Sequence, residues 1–93
     1  MAILHDGKYK RIGYFEASFT GAGFINVMLE VYNSKEDRDK TKQGIEYLVK
    51  YFEGVSLDST AFDVFDVTEA KDIREAIYKK IKEKDEYKDA KDV

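Results

Sequence analysis

Two alternating runs constrain this chain more than any other feature, because together they dictate a paired β-ribbon. Between Phe24 and Tyr32 every second residue (Ile25, Val27, Leu29, Val31) is aliphatic, and three of the four are β-branched. Extended backbone points successive side chains to opposite faces, so these four share one face. The preceding run, Lys8 to Phe19, alternates too. Gly13, Phe15, Ala17 and Phe19 fall on one side; Ile12, Tyr14, Glu16 and Ser18 fall on the other. Thr20-Gly21-Ala22-Gly23 supplies the turn between them, where glycine takes positive φ at no steric cost. Upstream, Ile3-Leu4-His5 runs into Asp6-Gly7, the dipeptide of a two-residue hairpin turn.

Beyond the ribbon the period changes. Ser34 can cap a helix whose first turn carries Glu36 and Asp37 against the positive end of the dipole. Ile45, Leu48, Val49 and Phe52 recur at helical spacing up to Gly54, which predicts one continuous helix from residue 35, with Gly44 inside it at a cost of about 1 kcal/mol. Ala61 to Val67 reads as a strand with apolar residues on both faces. Thr68 then caps a second helix, whose stripe is Ala70, Ile73, Ala76, Ile77 and Ile81. Past Glu83 the stripe thins, and residues 86–93 read as a frayed tail. The expected fold is α+β in one domain over 1–93, with a mainly antiparallel sheet of three or four strands and two helices in the order β-β-β-α-β-α.

Composition narrows the chemistry. The chain has 93 residues, no cysteine and one histidine, His5, which excludes disulfide staples, thiolate nucleophiles and the common zinc ligand sets. Beside an Asp-Gly turn, His5 reads as a turn residue and not as a catalytic base. Asp58, Asp63, Asp66 and Glu69 are oxygen donors of the kind magnesium or calcium needs, but they lack the spacing and central glycine of an EF-hand loop. Gly21-Ala22-Gly23 is followed by a strand, whereas phosphate-cradling loops lead into a helix. These readings predict no catalytic residue, no metal ligand and no cofactor. No apolar run approaches the ~18–20 residues of a membrane span, and the start of the chain has no signal-peptide apolar region, so a cytoplasmic protein is expected. The net charge of −3 sits wholly in the last third, which is too little for a mimic of DNA.

One surplus remains. The ribbon's second face carries Ile12, Tyr14, Phe24, Met28 and Tyr32, where a sheet covered on one side should be polar. Either a helix or the N-terminal segment covers these five within the chain, or a partner does. The second reading makes the chain a small non-enzymatic interaction or regulatory module that binds a protein partner or itself, as a homo-oligomer, with Glu16 and Glu30 setting orientation. Chains of this size and composition are common among accessory proteins of phages and mobile elements, which is an association and not a physical argument. Tyr47 and Tyr51, four apart, form a second aromatic pair on the expected first helix. The alternative class is a nucleic-acid-associated protein using Lys8, Tyr9, Lys10 and Arg11, where bases and aromatics interleave.

Overall fold

The computed structural model describes residues 1–18, 20, 21, 23–57 and 72–93. Asp6 and Gly7 take φ of 53° and 71°, the two left-handed residues that a type I′ turn requires. Strand β1 (Ile3–His5) thereby folds back on β2 (Lys8–Ser18) with His5 opposite Lys8. Gly21 and Gly23 also take positive φ, and β3 (Phe24–Tyr32) returns antiparallel to β2. The ribbon expected from the alternation is therefore present, with one irregularity: the register slips between Ile12 and Tyr14, leaving Gly13 as the extra residue of a β-bulge.

Helix α1 (Lys35–Lys42) starts as its sequence predicts, with the Ser34 hydroxyl accepting from the Asp37 N–H at 3.2 Å. It ends early. Gly44 takes φ 75°, its N–H bonds to the Thr41 carbonyl, and the Ile45 N–H bonds to the Lys40 carbonyl, which is a Schellman closure. The continuous helix over 35–54 is thus corrected to a helix, a connection and a strand, β4 (Tyr51–Leu57), paired antiparallel with β3. The physical reason is competition: β3 offers a full row of backbone partners to 51–57, while a helix through Gly44 would sacrifice the cap that glycine alone provides cheaply.

The strand expected at 61–67, the cap at Thr68 and the carboxylates Asp58, Asp63, Asp66 and Glu69 lie outside the described residues. Helix α2 (Ile73–Lys82) is capped by Asp72, whose side chain accepts from the Glu75 N–H at 3.0 Å. Its stripe Ala76, Ile77 and Ile81 is buried as its spacing predicts, with Ile73 packed alongside. Residues 86–93 are not a frayed tail: Tyr87 closes a 3₁₀ turn (Asp85–Tyr87) and is buried, and β5 (Lys91–Asp92) pairs with β1. The described residues thus form one antiparallel sheet of five strands, one more than the largest number expected, in the order β4-β3-β2-β1-β5. The architecture is α+β. Among the described residues no helix is long and apolar enough to cross a membrane.

The core lies between α2 and one sheet face. Ile25, Val27 and Leu29 of β3, Val55 and Leu57 of β4, and Ile3 and Ile12 meet Ala76, Ile77, Tyr78, Ile81 and Tyr87. Each large aliphatic side chain buried there contributes about 1.5–3 kcal/mol. Tyr78 also repairs the sheet where β1 runs out. Its hydroxyl accepts from the Ile12 N–H at 2.6 Å and donates to the Met1 carbonyl at 3.3 Å, bridging two groups that a longer strand would have paired directly. Burial pushes the Tyr78 hydroxyl above the ordinary tyrosine range, against the Ile12 N–H, which lowers it.

Candidate interaction face

The second sheet face is built from the residues that alternate with the core set. Register across β2, β3 and β4 places them in rows: Arg11, Glu30 and Phe52; Tyr14, Met28 and Gly54; Glu16, Asn26 and Ser56; with Phe24 beyond, opposite Ser18. Tyr14 is 59% exposed, Phe24 40% and Phe52 49%, and Met28 is half-buried between them. Gly54 has no Cβ to fill the middle row. It opens a shallow depression of about 400 Å³ lined by Tyr14, Met28, Gly54 and the Glu16–Asn26–Ser56 row.

That row is tied together: Ser56 Oγ donates to Asn26 Oδ1 at 3.1 Å, and Asn26 Nδ2 donates to Glu16 Oε1 at 3.3 Å. On the other side of the depression Arg11 Nη1 and the Tyr32 hydroxyl both donate to Glu30 Oε1 at 2.9 Å. An apolar strip therefore runs between two hydrogen-bonded polar rows, the layout of an interface centre and its rim.

The structure divides the five residues assigned to this face from sequence. Tyr14, Phe24 and Met28 stand on it. Ile12 does not: the extra residue at Gly13 inverts the alternation, so Ile12 is 6% exposed and packs in the core beside Leu29. Tyr32 belongs to the second face, but at its covered end. There it is 1% exposed, clusters with Ala2, Tyr9 and Val49, and has the Arg38 guanidinium of α1 6.0 Å from its ring centre. Burial, with the Glu30 hydrogen bond and charge, raises its hydroxyl to about 12. Phe52 was missed because its spacing fitted the helix stripe equally well. Tyr47 and Tyr51 are both exposed but share no helix, since one lies in the α1–β4 connection and the other begins β4.

The basic–aromatic run of β2 is likewise divided by alternation. Lys8 Nζ donates to Asn33 Oδ1 at 3.1 Å, Tyr9 is buried, and Arg11 is held by Glu30. Lys10 is only 1% exposed and lies on the core face. Its ammonium donates to Glu53 Oε1 and Oε2 at 3.1 and 2.9 Å and to His5 Nδ1 at 2.9 Å, and lies 5.5 Å from the Tyr87 ring centre. Tyr87 donates its hydroxyl to Glu53 Oε2. An ammonium can only donate and a carbonyl can only accept, so His5 receives at Nδ1 and gives its Nε2 proton to the Glu86 carbonyl at 2.7 Å. The single histidine thus has a structural role, joining β1, β2 and the C-terminal turn.

Burial pulls the Glu53 carboxyl up, but hydrogen bonds from Tyr87 and Lys10, together with the Lys10 charge, outweigh it and hold the group below the ordinary glutamate range. Tyr87 is driven up by burial and by Glu53. Asp6 and Asp89 approach His5 from the solvent side, at 3.6 and 3.4 Å, and complete a set of three candidate metal donors. A cation there would have to displace either Lys10 from Nδ1 or the Glu86 carbonyl from Nε2. Comparison of the chain with protein-family models, curated proteins and solved structures gave no match.

Proposed function

We propose that the chain is a small, non-enzymatic interaction module of the cytoplasm that binds a protein partner or a second copy of itself through the second sheet face. The observation that carries this reading is the exposure of Tyr14 beside Met28 between two tied polar rows, with exposed Phe52 at the end of one row and Phe24 beyond the other. Isolated exposed apolar residues need no explanation, but a contiguous set rimmed by polar groups is what association sites present. Aromatic and methionine side chains are the types enriched at such centres.

Met28→Glu tests it. Met28 is half-buried at the middle of the strip, and a carboxylate there meets Tyr14 and Gly54 with solvent above it. The expected result is a folded protein with unchanged far-UV circular dichroism, and with a lower mass by light scattering across concentration or lost capture of its partner. A variant that unfolds would show that the face is core and end the interface reading, as would a monomeric wild type that captures no partner. The nucleic-acid alternative is left without Lys10, which is buried on the core face.

A further inference from the structure

The acidic chain gathers cations at one place, beside the Arg11 end of this face. Arg11 of β2, Lys35, Arg38 and Lys42 of α1, and Arg74 of α2 line a single depression of about 280 Å³ together with Tyr9. Those five are drawn from sixteen lysines and arginines in a chain of net charge −3, and Asp39 is the one carboxylate among the lining residues. Spacing explains the α1 share: positions 35, 38 and 42 lie three and four apart, on one helix face. Tertiary structure adds a cation from each of two other elements.

Two of the five have acidic partners, since Arg11 is held by Glu30 and Arg74 by Asp72. Among the described residues Lys35, Arg38 and Lys42 have no carboxylate within ion-pair distance, and Arg38 rests on the Tyr32 ring. Converging like charges destabilise a fold unless an anion offsets them. The space is smaller than the ~300–1,000 Å³ of pockets for drug-sized ligands, so the anion it suits is compact and multiply charged. Guanidinium groups favour the forked geometry of phosphate oxygens.

We propose that the depression between β2, α1 and α2 binds linked phosphate groups, supplied either as free pyrophosphate or as the diphosphate of a nucleotide. Lys35, Arg38 and Lys42 line it from α1, Arg11 from β2 and Arg74 from α2. The proposal shares Arg11 with the rim of the sheet face above but does not rest on that reading.

The test is calorimetric titration of the full chain with pyrophosphate at low and at 300 mM salt, in the wild type and in Lys35→Gln/Lys42→Gln. Both substituted residues lack acidic partners, so the variant is expected to keep its fold, checked by circular dichroism. Binding should weaken roughly tenfold or more in the variant, the loss of two charge-assisted contacts, and should weaken with salt in the wild type. Orthophosphate should bind more weakly than pyrophosphate. ADP binding more tightly than pyrophosphate assigns the site to a nucleotide, and equal binding assigns it to free diphosphate. The proposal is overturned if pyrophosphate does not bind, if the folded variant binds as well as the wild type, or if an oligonucleotide without terminal phosphates binds more tightly than pyrophosphate. Should the double variant misfold, Arg74→Gln on α2 must show the same weakening or the site is refuted.

Discussion

Lys10→Met is expected to remove about 3 kcal/mol of stability, although methionine nearly matches the length of the side chain it replaces. All three ammonium donors of Lys10 are used, one on His5 and two on Glu53. Removing one partner of a buried pair leaves the other charge uncompensated, which costs about 3–5 kcal/mol. Glu53 keeps the Tyr87 hydrogen bond and is 26% exposed, which places the loss at the lower end. Domains of this size are stable by about 5–15 kcal/mol, so the variant forfeits a large share. With about 4–8 °C per kcal/mol, the melting temperature should fall by roughly 12–24 °C.

Lys10→Met/Glu53→Leu should recover part of that loss, because an apolar pair leaves no orphaned charge, while the Tyr87 hydroxyl and His5 Nδ1 lose their partners. A single variant that melts within two or three degrees of wild type would mean the cluster is solvated and contributes little.

The same cluster sets a pH signature, read by urea midpoints from pH 3 to 11. The Glu53 carboxyl is depressed in the folded state, so its contribution is complete above the ordinary glutamate range and is lost as pH falls through the depressed folded value. The buried tyrosines act with opposite sign. Tyr32, raised to about 12, and Tyr78 and Tyr87, also raised, contribute fully below the ordinary tyrosine pKa of about 10. That contribution disappears as pH climbs toward the folded values, since the unfolded chain ionises first. Stability that stays flat between pH 9 and 11 would contradict the burial of these hydroxyls.

The second large effect separates two residues that sequence alternation treats alike. Ile12→Glu should destabilise by more than about 4 kcal/mol, since it puts an unpaired carboxylate among Leu29, Ile77 and their neighbours. Tyr14→Glu should cost less than about 1 kcal/mol, because Tyr14 faces solvent and loses only strand preference and cross-strand contact. Chemical denaturation of the two variants decides the matter. Similar losses in both would mean that positions 12 and 14 share a face and that the bulge at Gly13 does not exist. Glycine suits the bulge for a local reason: a Cβ at position 13 would come within 2.9 Å of Glu30 Cγ, whose side chain crosses there to reach Arg11 and Tyr32.

The elements legible in the sequence are those that short-range chemistry decides. The Asp6-Gly7 turn, the pairing of β2 with β3, the Ser34 cap and the α2 stripe each depend on residues a few positions apart. The α1–β4 region was not legible because Ile45, Leu48, Val49 and Phe52 satisfy a helical period. The choice fell to a partner strand distant in sequence and to Gly44, which can close a helix as readily as interrupt one.

What the residues determined unaided was an α+β chain with an antiparallel ribbon, an aliphatic face and an aromatic surplus opposite it. Tertiary structure alone decided which of the surplus stays exposed. One inserted residue at Gly13 turned Ile12 inward, and α1 settled over Tyr32 and left Tyr14, Phe24 and Met28 uncovered. It also carried Lys10 into the core, where His5, Glu53 and Tyr87 satisfy it. Those three partners come from β1, β4 and the C-terminal turn, and a charge can be buried only where distant segments converge to supply its hydrogen bonds.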